Sequence, residues 1–408
     1  MKKVCFVLNN FVGTNFYGGG GRVSYEIIRK LADSGYRVDI LCSSTTHAAY
    51  PGINRITVID KPFGKKPREL EAFFAEVDAR VEGAGYDAVI ADNMTPYADV
   101  SFVQYHTMLH RLKLRGILWP LGAFSKIERI RKHRKWARTA RRFIAVSQAI
   151  KRDLMENLGV PGEKIGVVYP GVKITEIAGH DPGAGRSPGQ PFTFGCVATG
   201  FPTKGGYIFF KALNWLMGQG HRFRARIVCP GYEKKPWTRM LVRYYGLGAC
   251  MEFLPYQKNI REYYASLDCL VMPSIHEAFG LVALEAMANK LPCIVSSVSG
   301  ASEIIQDGVN GFVFAMKGKA HRNLAEKMSW VLENSRTLET IGNKGYKTAL
   351  HYNWDRTCRN FVKELNLGNH RVLETVSSKD FEKPFTRKGT EPAGSSGADP
   401  LILKRTEK

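Results

Sequence analysis

Two glutamates eight positions apart, Glu277 and Glu285, bracket a Phe279-Gly280 pair in the window HEAFGLVALEAMA, residues 276–288. An ionised carboxylate is a hydrogen-bond acceptor only, so it suits sugar hydroxyls and repels phosphate. Phe279, Gly280 and Leu281 open the apolar run between the glutamates. If that run is a helix, its first backbone N–H groups have no partner of their own and favour an anion. A phosphate seat beside hydroxyl acceptors describes a nucleotide with a hydroxyl-rich flank. Lys204, before Gly205-Gly206 in VATGFPTKGGYIFF, adds an ammonium suited to a diphosphate. Gly18 and Gly19, in the run NNFVGTNFYGGGGRV, let backbone approach a ligand closely. His106 closes the apolar stretch SFVQYHT; it is either a group at a reaction centre or a satisfied structural histidine.

These residues need elements to hold them. LDCLVMPS (267–274) reads as a buried parallel strand, 281–288 as a mostly buried helix and LPCIVS (291–296) as another strand, which together make a βαβ unit. The same alternation runs through the first half: strands at 4–8, 38–42, 56–59, 88–91, 101–105, 143–146 and 165–169, with a helix over 23–34 stopped by Gly35. It restarts at 192–198, with a helix near 209–217 and strands at 225–229 and 251–254. Between the halves, 173–191 is rich in Gly and Pro and reads as a linker. The expected class is α/β, with two doubly wound Rossmann-like domains over 1–172 and 192–352 facing a cleft. On that plan the glutamates, Lys204, the glycine run and His106 all fall at carboxyl ends of strands. Residues 369–408, a basic tail without periodicity, are expected to be disordered.

Composition narrows the classes. No run of 18 apolar residues suggests a membrane span, and the polar residues soon after VCFVL argue against a secretory signal. The eight cysteines form no CxxC pair and lack histidine partners at zinc spacing, so reduced core residues in a cytoplasmic protein are expected. Neither leading strand is followed by GxGxxG, which disfavours a dinucleotide oxidoreductase.

Taken together, the motifs resemble those of the GT-B glycosyltransferases of the large family 4 (group 1) type. The E-x7-E motif from Glu277 to Glu285 is the most specific, supported by Gly18-Gly19 and the helix after it, Lys204-Gly205, AVSQAIKRDL (145–154), SGASEIIQDGVNGFVF (299–314) and NWDRTCRNFVKEL (353–365). The resemblance spans roughly 1–368. It implies an acceptor-side first domain, a nucleotide-sugar-binding second domain and a helix over 353–368 that crosses back to the first. It also implies transfer of a hexose from a nucleotide-diphosphate sugar with retention of anomeric configuration. Glu285 would hold the ribose, Glu277 the transferred sugar, and Gly19, Lys204 and the N–H groups around Phe279, Gly280 and Leu281 the diphosphate, with His106 at the reaction centre. No metal ion and no cofactor is expected beyond the nucleotide sugar itself. One departure stands out. The family usually has Gly-Arg six and five residues before the lysine, where this chain has Ala198 and Thr199; either another basic residue replaces that arginine or phosphate binding leans on Lys204 and the helix dipole.

Charge bears on the acceptor. Residues 110–142 hold 12 Lys and Arg against one Glu, which accounts for the whole basic excess of 1–172. Trp119, Leu121, Phe124, Ile127 and Ile130 lie among these charges. The segment is read either as a solvated face packed on its domain or as a contact with an anionic membrane surface. Nucleic acid is not expected, because no RNA-binding motif or stacking pattern accompanies the charge, and a basic nucleic-acid-binding protein stays as the alternative from another class. The favoured acceptor is a growing cell-surface glycan, as in lipopolysaccharide, or its lipid-linked precursor; the alternative is a soluble small acceptor such as a sugar phosphate.

Overall fold

A computed structural model describes residues 1–11, 19–46, 50–60, 67–92, 98–113, 123–174, 190–198, 200–232, 234–257 and 259–365. Gly18, Thr199, most of the linker, residues 114–122 and the tail lie outside them. Among the described residues, seven strands make a first sheet: β1 (Lys3–Phe11), β2 (Arg37–Thr45), β3 (Arg55–Val58), β4 (Ala88–Ala91), β5 (Val100–Val103), β6 (Arg142–Ala145) and β7 (Ile165–Val167). Six make a second: β8 (Phe192–Val197), β9 (Phe223–Val228), β10 (Met251–Leu254), β11 (Cys269–Met272), β12 (Cys293–Ser296) and β13 (Phe312–Phe314). The orders are β3-β2-β1-β4-β5-β6-β7 and β10-β9-β8-β11-β12-β13, and every pairing is parallel. Parallel neighbours require crossovers, supplied mainly by helices, so strands such as β4, β11 and β12 are covered on both faces and read as unbroken apolar runs. Strand order reverses between β1 and β4 and between β8 and β11, which opens a crevice at the carboxyl edge of each sheet.

Local chemistry fixes the crossovers. In α1 (Gly19–Asp33), Val23, Ile27, Ile28 and Leu31 form the buried stripe, and Gly35 at φ 81° lets the chain turn back. The helix begins four residues before the apolar stripe does, so Gly19, Gly20 and Gly21 belong to its first turn, where amides have no intrahelical acceptor to lose. α2 (Pro67–Val81), which the sequence reading leaves unassigned, buries Phe73, Phe74 and Val77. β5 stops at Val103 instead of running on to Tyr105. Its neighbours end opposite Ser101 and Val103, so nothing remains to pair with. His106 therefore lies past the strand, in the turn before α3 (Met108–Lys113). Seven cysteines are buried, all eight are free thiols, and burial pushes Cys293 up to about 12, so it packs as an un-ionised apolar group.

The last described helix, α12 (Trp354–Leu365), belongs in space to the first sheet. Phe361 is fully buried, stacked on Phe6 and set edge-on to Phe102. Lys30 pairs with Asp355 at 2.5 Å and Arg142 Nε donates to Glu364 at 3.1 Å. Replacing Phe361 by Ala should cost about 3–5 kcal/mol, the range for deleting a buried aromatic, and lower the thermal midpoint; a midpoint within a degree of wild type would show that α12 does not complete this core.

Candidate active site

The carboxyl edge of the second sheet is shaped by two glycines. Gly205 (φ 74°) caps α6 (Gly206–Gly218), and a Cβ there would lie 1.8 Å from the Pro273 carbonyl. Gly280 (φ 102°) caps α9 (Leu281–Ala288), where a Cβ would lie 2.7 Å from Met272 Cε. Only glycine reaches these backbone angles without strain, so both helices start tight against the end of β11. The loop before α9 is pinned as well. The Phe279 carbonyl accepts from Ser299 Oγ (2.8 Å) and Ala301 N (2.7 Å), and the Ala278 carbonyl accepts from Ser147 Oγ (2.6 Å) on the first domain. From across the cleft α1 comes in close, with a Cβ on Gly19 only 3.4 Å from Leu281 Cδ1. Two helix N-termini thus converge, and their first-turn amides and dipoles favour an anion between them.

Each glutamate of the window holds a cation. Lys204 Nζ pairs with Glu277, which also accepts from Ser274 Oγ at 3.4 Å. Glu285, one turn into α9, takes Arg22 Nη1 of α1 at 2.5 Å and the Tyr264 hydroxyl, from α8 (Ile260–Ala265), at 2.8 Å. Burial and then the neighbouring Glu285 carboxylate raise the Tyr264 phenol well above its ordinary value, so it stays a donor.

On the first domain His106 is buried, and its Nδ1 lies 3.0 Å from Asp153 Oδ2 in α5 (Gln148–Leu158). Asp153 also accepts from Thr107 N (2.8 Å), Thr107 Oγ1 (2.6 Å) and Asn157 Nδ2 (2.7 Å). Burial alone would raise this carboxyl, but the hydrogen bonds from His106, Thr107 and Asn157 outweigh it and hold it below its ordinary value. The stabilisation this provides is present above the unfolded carboxyl's pKa and is lost as pH falls through the lower folded value. An ionised carboxylate cannot donate, so Nδ1 carries the hydrogen and a neutral ring offers its lone pair at Nε2. Nε2 is buried without a hydrogen-bond partner among the described residues. His110 stacks on the ring at 4.1 Å, and His276 of the second domain meets it edge-on at 6.0 Å. Donor atoms of His106, His110 and Asp153 lie within 4.8 Å of one another, a spacing open to a metal ion. Both Asp153 oxygens, however, already serve four donors, which fits a carboxylate that orients a histidine better than one that ligates an ion.

Two family models match the chain. "Glycosyltransferase Family 4" covers 17–176 and "Glycosyl transferases group 1" covers 181–348, nearly all of both sheets. The chain belongs to the group 1 glycosyltransferases. A D-inositol 3-phosphate glycosyltransferase of Kribbella flavida is 25% identical over 383 residues, 85% of this chain and 90% of that one. The solved structure of WaaG, a glycosyltransferase involved in lipopolysaccharide biosynthesis, superposes with TM-score 0.70 at 19% identity over 89% of this chain and 99% of that one. HepE of Anabaena, solved with UDP and glucose, gives 0.66 at 21% identity over 90% and 100%. These likenesses establish the GT-B fold, two parallel-sheet Rossmann-like domains.

In this glycosyltransferase the described residues singled out from sequence come together at facing sheet edges: Gly19, Lys204, Glu277, Phe279, Gly280, Leu281 and Glu285 around the two helix starts, and His106 beside His276. Gly18 lies outside the described residues. Sequence reasoning missed Arg22, Asp153 and Tyr264, whose roles appear only through partners far along the chain; the first two sit in quoted stretches, GGGGR and AVSQAIKRDL, and were passed over.

Removing the Asp153 charge frees the His106 ring to turn or change tautomer. Asp153→Asn should lower the turnover number at least about tenfold, part of the 10²–10⁴ that a positioned acid–base group supplies, with the donor KM little changed; an unaltered turnover number in initial-rate assays would leave Asp153 a purely structural residue. Glu285→Ala should weaken nucleoside diphosphate binding by about 1–3 kcal/mol, the cost of lost hydrogen bonds to a charged group, and calorimetry with unchanged affinity would remove Glu285 from the ribose role.

Proposed function

We propose that this glycosyltransferase moves a hexose from a nucleotide-diphosphate sugar to a small phosphorylated polyol, such as an inositol or sugar phosphate, with retention of anomeric configuration. The observation that carries the donor side is the convergence of the α1 and α9 N-termini, flanked by Lys204 and Arg22. Such a seat stabilises the charge that grows on a leaving diphosphate. The sugar C1–O bond to the diphosphate breaks, the acceptor oxygen bonds to C1, and its proton passes to the departing phosphate oxygen. Glu285 takes the ribose hydroxyls, Glu277 a hydroxyl of the transferred sugar, and His106 Nε2 accepts from a sugar hydroxyl near C1. The named acceptor of the Kribbella relative supports a small anionic acceptor over the cell-surface glycan favoured from sequence. The basic charge of 110–142 on the first domain would draw such an acceptor in.

One observation keeps the glycan reading as a second. In α4 (Ala123–Thr139), Ile130, Trp136 and Ala137 are buried while Arg131, Lys135 and Arg138 are exposed, so part of the basic segment faces outward and suits an anionic membrane. No helix among the described residues is long and apolar enough to cross one.

A panel of UDP-, GDP- and ADP-sugars, each offered with inositol phosphate, sugar phosphates and a lipid-linked glycan, decides the matter, with NMR of the product anomer. Transfer to the small phosphates with an unchanged anomer is expected. Transfer to the lipid-linked acceptor alone, with binding to anionic vesicles that falls with salt and on changing Arg131, Lys135 and Arg138 to Gln, would reverse the two readings; an inverted anomer would remove the retaining mechanism.

A further inference from the structure

The two cation–carboxylate pairs at the α9 N-terminus share one design. In each, the carboxylate is 15% exposed and comes from the segment 277–285, and the cation is 31% exposed and comes from the glycine-bearing start of another helix: Lys204 before α6, Arg22 in the first turn of α1. The Arg22 pair is the one that spans the cleft, joining residues 263 positions apart. Neither cation is buried, so each can swing without a large desolvation cost. Tyr264 already donates to Glu285 Oε2, which keeps that carboxylate in place if Arg22 leaves it.

The inference rests on the donor reading given above. A bound nucleotide-diphosphate sugar brings hydroxyls, which donate to carboxylates, and phosphate oxygens, which accept from cations. Both ion pairs then have better partners within the same few ångströms. Lys204 alone is a single point charge against a diphosphate carrying about two negative charges. Arg22 stands on α1, whose first residue, Gly19, lies so near the phosphate seat that a Cβ on it would touch Leu281 Cδ1. Its planar fork can bridge two phosphate oxygens at once, which an ammonium cannot.

We propose that Arg22 is a diphosphate ligand supplied by the first domain: on donor binding it leaves Glu285 for the phosphate oxygens, and Glu285 takes up the ribose hydroxyls in its place. Until then, the Arg22–Glu285 pair keeps both groups ordered and their charges balanced. The exchange ties the donor, seated on the second domain, to the first.

Inorganic pyrophosphate carries the recognised charge without a base or sugar, so it tests the assignment whatever the nucleotide. Its affinity for the full-length protein is measured by calorimetry at fixed salt, with circular dichroism to check the fold. Arg22→Gln should weaken it about ten- to a hundredfold, as for other hydrogen bonds to charged groups. Arg22→Lys should recover part of the loss, and Glu285→Gln, which frees Arg22, should leave binding as tight as wild type or tighter. Lys204→Gln separates the two levels of inference. If it weakens pyrophosphate while Arg22→Gln does not, Arg22 only braces Glu285 and the proposal fails alone. If wild-type protein does not bind pyrophosphate, the donor reading fails and takes this one with it.

Discussion

Everything at the site follows from parallel strand pairing. A parallel neighbour cannot be reached by a tight turn, so the chain crosses back after each strand, usually by a helix that starts at the strand's carboxyl end. In this protein all pairings in both sheets are parallel, so strand ends and helix starts collect along one edge of each sheet. Where strand order reverses, adjacent connections part to opposite faces and leave room for a ligand. β1 leads to Gly19, β8 to Lys204 and β11 to Glu277 and Gly280. Two such edges brought face to face give a site with positive dipole ends on both sides.

That arrangement creates a problem as well as a seat. Carboxylates able to grip sugar hydroxyls must sit close to where phosphate goes, and on their own they would repel it. The structure resolves this by pairing each glutamate with a cation and a hydroxyl donor: Glu277 with Lys204 and Ser274, Glu285 with Arg22 and Tyr264. The histidine side shows the same economy. Asp153 holds His106, Thr107 and Asn157 together, so one buried carboxylate orders the turn after β5 and fixes which ring nitrogen carries the hydrogen.

Much of this was legible in the sequence, for local reasons. LDCLVMPS and LPCIVS are unbroken apolar runs beside Gly, Pro or Ser, and β11 and β12 lie within them. The switch from strand to helix around Phe279-Gly280 could be read because glycine is needed there at positive φ. What could not be read is pairing. Nothing near Arg22 in the chain signals Glu285, and nothing near His106 signals Asp153, since these contacts exist only once the sheets have formed. The end of β5 was missed for the same reason, because it is set by where its neighbours stop. The basic segment was half legible: its charge is plain, but Trp136 turning inward onto Phe74 while Arg131, Lys135 and Arg138 face out is a matter of packing. The acceptor class is the least legible, since the basic segment suits a surface glycan while the Kribbella relative is named for D-inositol 3-phosphate.

The return of α12 to the first sheet has a consequence for how the chain is made. A ribosome delivers the first sheet early, yet Phe361, which fills the space beside Phe6 and Phe102, emerges only after the whole second sheet. At about 5–20 residues per second, the interval between β7 and α12 is on the order of ten to forty seconds. Through that interval the nascent first domain carries an uncovered aromatic hollow on a sheet of parallel strands. Synthesis of the described chain therefore has a closing step: its last helix seals the first domain to be born.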